Sequence, residues 1–195
     1  MFNLRLAFVF ITLISFSYSQ YTSRGQCEDR DRINLSVAQW FNLRRFAGNG
    51  APWYPIASYS SNLDCLSLYF TETSTNTMNV VYTQKNLTTG VVSRREGKAT
   101  WVRPDYREAI ISVNHPYDGK PLVYRMVLIV YDEFTAHYSC VNLDKQNRQE
   151  FLHLMSRNRT LTSDQQRRVR ASLERQHLPH GPMVNVVQDP TICSI

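Results

Sequence analysis

The chain has 195 residues, 43% of them hydrophobic and 19% charged, with a formal net charge of +6. This is the composition of one globular domain; it excludes wholesale disorder, and its scattered basic residues exclude the concentrated stripe that a nucleic-acid binder needs. Eleven Tyr, nine Phe and three Trp favour β structure, because flat side chains pack well on a pleated surface.

Residues 1–19 read as a secretory signal. Arg5 supplies a positive start, Leu6 to Phe16 is almost wholly apolar, and Ser17-Tyr18-Ser19 places small residues where signal peptidase reads. No other run reaches the roughly 18 apolar residues of a membrane span. Cleavage after Ser19 leaves residues 20–195 as one extracellular domain with no transmembrane segment and a net charge of +5.

The segment from Tyr21 to Asn49 is polar, with an apolar patch at Val37-Ala38-Gln39-Trp40-Phe41, and ends in the breaker cluster Gly48-Asn49-Gly50-Ala51-Pro52. Eight β-like runs follow at hairpin spacing: 54–60, 65–71, 77–84, 91–102, 108–114, 122–131, 135–141 and 149–156. Thr88-Thr89-Gly90 is a turn, and Gly97 is expected to be a bulge. One helix stands out next: Thr162 and Gln165 fit a capping box, Val169 and Leu173 make a narrow apolar stripe, and the helix ends near Gln176. An extended tail, 183–195, carries the last cysteine. The runs at 122–131 and 151–155 are apolar on both faces, so one face lines an interior and the other is covered. A barrel with the helix outside meets both demands, and so does a sandwich.

Cys27, Cys65, Cys140 and Cys193 are an even set with no Cys-x-x-Cys spacing. In an oxidising compartment they read as two disulfides, with three pairings open. Asn34, Asn86 and Asn158 each head an Asn-x-Ser/Thr sequon and are candidate glycosylation sites.

Several stretches are specific. Phe46-Ala47-Gly48 with Trp53-Tyr54-Pro55-Ile56 resembles the lipocalin opening motif. Tyr131 with Phe134 and Tyr138-Ser139-Cys140 resembles the join of that family's sixth and seventh strands. Met155-Ser156-Arg157 resembles the Ser-Arg that closes its eighth, and Glu96-Gly97-Lys98-Ala99-Thr100 resembles a signature of the apolipoprotein D and insect bilin-binding branch. Two departures stand out: Asn49-Gly50-Ala51-Pro52 occupies the place of one residue, and Ile129-Val130-Tyr131 lacks the family's Asp.

The resemblance implies an all-β, eight-stranded antiparallel up-and-down barrel with one C-terminal helix packed outside, running from Cys27 to Cys193. It implies the pairings Cys27–Cys140 and Cys65–Cys193. It places Arg157 over Trp53 at the barrel floor, in a structural role. A barrel of this size holds one small ligand, and members of the family take lipids, steroids, pheromones or bilins. The expected function is therefore a secreted carrier or scavenger of a small hydrophobic ligand, in a setting of lipid handling and oxidative-stress protection. A cell-surface receptor is a candidate partner; nucleic acid is not.

Alternation from an inward Arg157 makes Phe151, His153 and Met155 inward, with Leu152 and Leu154 out against the helix. By the same resemblance Tyr124, Met126 and Leu128 face in, as do Thr135, His137 and Ser139. Tyr82 and Trp101 complete the lining. The candidate ligand-binding residues are thus Tyr82, Trp101, Tyr124, Met126, Leu128, His137, Phe151 and His153. His137 and His153 could face each other and hold a metal or haem, or hydrogen-bond a polar ligand group; two ligands without a third are a poor zinc site. His115, His177 and His180 read as exposed. No catalytic constellation, metal set or cofactor motif appears, so the chain is read as a non-enzyme. The rival expectation is an extracellular protein-interaction or immune factor whose cavity is filled.

Overall fold

The computed structural model describes residues 21–32, 36–60, 62–114, 121–178 and 182–194. The expected signal segment, the sequon at Asn34, His115 and His180 lie outside them. A strand, β1 (Tyr21–Arg24), and two short helices, α1 (Cys27–Arg32) and α2 (Leu43–Ala47), open the fold; a 3₁₀ turn at Gly48–Gly50 follows. Then come β2 (Tyr54–Ser58), β3 (Leu66–Ser74), β4 (Thr77–Lys85), β5 (Val92–Trp101), β6 (Ile110–Asn114), β7 (Pro121–Val130), β8 (Phe134–Asn142) and β9 (Asn147–Ser156). The helix α3 (Ser163–Arg175) and a two-residue strand β10 (Val184–Asn185) close it. The eight runs read from alternation are β2 to β9.

Every pairing is antiparallel, in the order β10-β2-β9-β8-β7-β6-β5-β4-β3, with β1 on the upper part of β9. The two ends of this path meet. Trp53 N–H donates to Leu68 O at 2.8 Å and Leu68 N–H to Trp53 O at 2.9 Å, a bridge that joins β2 to β3 and shuts the barrel at one end. Further along, the C-terminal tail fills the seam: Val186 N–H donates to Ile56 O and Cys65 N–H to Val187 O, each at 2.9 Å. The disulfide Cys65–Cys193 fastens this tail, and Cys27–Cys140 fastens α1 to β8; their sequence separations are 128 and 113.

The apolar residues divide into two cores. Leu68, Phe70, Met78, Val80, Ile111 and Met126 belong to the one inside the barrel. The other lies between the outer wall and α3, where Val169 and Leu173 cover Ala136, Leu152 and Leu154. This is why β8 buries both faces: Phe134, Ala136 and Tyr138 point out, Thr135, His137 and Ser139 in. The start of α3 is fixed by the reciprocal pair Gln165 N–H to Thr162 Oγ1 at 3.2 Å and Thr162 N–H to Gln165 Oε1 at 2.9 Å. Thr162→Ala removes one of these; a loss of about 1 kcal/mol is expected for such a cap, read as a lower thermal midpoint by circular dichroism.

Two expectations are corrected. Gly97 is not a bulge: the β4–β5 register runs through Val80↔Gly97 without a shift. Bulges fall instead at Pro55/Ala57, Glu72/Ser74 and Met126/Leu128. The last of these puts Leu128 on the outer wall, because one extra residue reverses the in–out phase; Leu128 packs with the core under α3, not in the lumen. Asn86 and Asn158 are exposed, as is His177.

Candidate ligand chamber and its floor

The closed end is a plug built by the N-terminal segment. Asn42 Oδ1 accepts from Arg45 N–H at 2.9 Å and starts α2; Gly48, at φ 66°, ends it in the left-handed conformation that glycine adopts freely. That single turn drives Phe46 into the barrel, where its ring stacks 5.5 Å from Trp53 and meets Phe70 edge-on at 4.8 Å. Trp53 Nε1–H donates to Phe46 O at 3.0 Å.

Arg157 seals this plug. Its guanidinium lies 3.7 Å from the Trp53 ring centroid and donates to Phe46 O at 2.7 Å, Ala51 O at 2.6 Å and Tyr131 O at 3.2 Å. Burial pulls its pKa down to about 10, so it stays charged at neutral pH. A Cβ on Gly48 would run into this guanidinium. The extra residues at 49–52 therefore do not disturb the motif; Ala51 contributes one of the carbonyls that Arg157 holds. Trp101 also sits at this end, 5.3 Å from Phe41, with its Nε1–H donating to Glu108 O at 2.6 Å. It belongs to the floor, so its placement as a chamber residue is corrected.

Above the plug the lumen changes character. His137 lies 5.7 Å from Phe46, ring to ring, and pairs directly with His153 across β8 and β9. Tyr124 is 5.7 Å from His153 and 6.3 Å from His137. Ser58 Oγ and His153 Nδ1 are 2.9 Å apart, and Ser58 Oγ also accepts from Ser60 N–H at 2.9 Å. Ser139 stands one inward position nearer the mouth than His137, opposite Phe151. Met126, the register partner of His137, is wholly buried at the base of this layer. Tyr82, Leu122, Tyr124 and Phe151 give this layer of the barrel interior an apolar, aromatic wall, and Leu122, Phe151 and His153 are only partly buried.

Two polar atoms on this wall have no hydrogen-bond partner: His137 Nε2 and Ser139 Oγ, both fully buried. Leaving a buried polar atom unpaired costs about 1–3 kcal/mol. Burial first, and then the charge of the facing His153, depress His137 to about 3, so its imidazole is neutral across the physiological range. Among the described residues no group of three or more His, Cys, Asp or Glu could hold a metal ion; the two imidazoles remain a pair.

Sequence reasoning missed a second charged site, on the outer wall. Glu150 is fully buried and accepts from Arg148 Nε at 2.7 Å, Arg30 Nε at 3.2 Å, Tyr138 O–H at 3.0 Å and the Ser23 hydroxyl. Desolvation raises its pKa, but the bonds from Ser23, Arg148 and Arg30 outweigh it, and the net value is below the ordinary one. The signal was present: the phase that turns Leu152 and Leu154 outward also turns Glu150 and Arg148 onto the same covered face.

No protein-family model matches the chain, and no curated protein does. Solved structures match over most of its length. Insecticyanin from the tobacco hornworm Manduca sexta superposes with a TM-score of 0.72 at 16% identity, covering 89% of this chain and 92% of that one. H1 crustacyanin from the lobster Homarus americanus gives 0.68 at 15%, with 88% and 92% covered, and lobster apocrustacyanin A1 gives 0.62 at 16%, with 81% and 93%. The chain has a lipocalin fold. In lipocalin terms the Trp53–Arg157 stack is the barrel floor, and the Phe46 plug lies on it.

Proposed function

We propose that this lipocalin is an extracellular carrier or scavenger that holds one small hydrophobic molecule, of lipid, steroid, pheromone or bilin type, in the upper half of the barrel. The observation that carries this reading is the pair of unpartnered polar atoms, His137 Nε2 and Ser139 Oγ, on an otherwise apolar and aromatic wall. A few polar groups on an apolar lining are what orient a small ligand. Two disulfides favour an oxidising, exported setting. The test is native mass spectrometry of protein recovered gently from a secreting host, followed by titration with the fluorescent apolar probe N-phenyl-1-naphthylamine. A co-purified molecule, or saturable uptake of one probe per chain, is the expected result. Neither would be seen if the lumen is simply core.

One observation favours the second reading, a protein-interaction factor. At the closed end Trp40 and Tyr106 are 73% and 70% exposed in relative residue area. Arg107 lies 5.2 Å from the Trp40 ring centroid and Arg103 5.5 Å from that of Tyr106. Trp40 holds this position at φ 59°, an uncommon conformation for a bulky residue. Trp, Tyr and Arg are the residues enriched at the centres of protein interfaces. Failure of both binding assays above would select this reading.

A further inference from the structure

The polar atoms of the chamber are placed unevenly, and their placement says what kind of molecule fits. We infer that the ligand enters polar end first, and that this end is an uncharged hydroxyl or carbonyl group that meets His137 and Ser139 at the bottom of the chamber; the inference rests on the carrier reading above. His137 lies directly over the plug, with Phe46 beneath it, and the barrel below is filled by Trp53, Phe70, Met78 and Val80. A ligand cannot pass this level. Ser139 is the next inward residue towards the mouth. A polar head arriving here gains hydrogen bonds to two atoms that otherwise have none.

The same surroundings exclude a charged head. The groups that face His137 are His153 from β9, Tyr124 from β7 and Phe46 from α2. None of them is a fixed charge. His153 lowers the proton affinity of His137 rather than raising it. A carboxylate brought to this level would be desolvated with no cation among these facing groups to pair it, so it would have to bind as the neutral acid. Arg95, the register partner of Tyr82 on β5, is exposed, and the Arg157 guanidinium is held beneath the plug by the floor carbonyls. A hydroxyl both donates and accepts, and so suits an imidazole nitrogen and a serine oxygen whichever tautomer His137 adopts.

The two atoms are covered. Tyr124 is one inward position nearer the mouth than Met126, the register partner of His137, whereas Phe46 is locked in the floor. Tyr124 is therefore the side chain that turns aside when the head arrives.

The test compares 1-hexadecanol with hexadecanoic acid, which share one tail, as competitors of N-phenyl-1-naphthylamine on the full mature chain. At pH 7.5 the alcohol should compete at least about tenfold more strongly than the acid. Lowering the pH to 5 should improve the acid at least about fivefold, because it binds protonated, and leave the alcohol within about twofold. His137→Leu and Ser139→Ala should each bring the alcohol-to-acid ratio down to about threefold or less while the probe still binds. Ser139→Ala and the wild-type pH series decide the matter if His137→Leu fails to fold. Probe uptake with equal competition, or with the acid preferred at pH 7.5, overturns the inference and leaves the carrier reading standing. No uptake of probe or lipid overturns both.

Discussion

Arg157→Ala is expected to lower the stability of the chain by about 4 kcal/mol, near the upper end of what single substitutions do. The guanidinium donates to four carbonyls from three separate segments, Phe46, Ala51 with Pro52, and Tyr131, while its plane covers Trp53. Hydrogen bonds from a charged group are each worth about 1.5–3 kcal/mol, and the alanine variant loses all of them at once, leaving Phe46 O with only the Trp53 Nε1–H. At about 2–4 °C per kcal/mol for a chain of this size, the thermal midpoint should fall by roughly 8–16 °C. Arg157→Lys should recover less than half of the loss, because an ammonium cannot stack on an indole and reach three directions at once. Urea denaturation of the three proteins checks both statements. A loss under about 1 kcal/mol for the alanine variant would mean that water replaces the guanidinium, and that Phe46 rather than Arg157 holds the floor.

Glu150→Gln should cost about as much, roughly 3–5 kcal/mol, because it strands buried cations rather than removing a surface pair. Arg148 and Arg30 both point at this carboxylate from positions little exposed to solvent. The substitution also has a pH signature. The folded-state pKa of Glu150 is depressed, so the stability it contributes is complete above the ordinary value of 4.5 and is lost as pH falls through the lower folded value. The wild type should therefore lose stability on acidification below that point, and the gap between wild type and Glu150→Gln should narrow there. A gap constant from pH 7 to pH 3 would show that the carboxylate does not titrate with folding. Because Arg30 belongs to α1 and also donates to His177 O at 3.0 Å, the variant should loosen the N-terminal segment first. Amide exchange in β1 and α1 reads this directly.

The strands were legible because each carries its own alternation and is bounded by its own turn residues. β4 shows Met78, Val80 and Tyr82 on one face, and the capping box of α3 is visible in four residues. Inward placement of Phe151 and His153 followed from that same period of two once the family resemblance had set Arg157 inward, and the resemblance placed His137. It failed at Leu128, where a bulge shifts the phase without any glycine or proline to announce it. The plug was hidden for a different reason. At five residues α2 is too short to show a helical period, and Phe46 looks like one apolar residue among arginines. Glu150 was hidden by distance: Arg30 reaches it across 120 residues, and no local pattern reports a partner so remote. Period and turn chemistry are local; plugs, clasps and bulges are settled by the assembled barrel.

The seam between β2 and β3 has a consequence for how this molecule is made. Its edges are guarded by a segment that lies C-terminal to every other strand, held there by a crosslink whose two cysteines are 128 residues apart. Chains emerge from the ribosome N-terminus first. Both edges therefore wait, with unsatisfied amides ready to pair with a neighbouring chain, until the tail arrives. Oxidation of Cys65 with Cys193 is in that sense the latch drawn last, and a nascent chain whose thiols stay reduced is left open to aggregation along this one line.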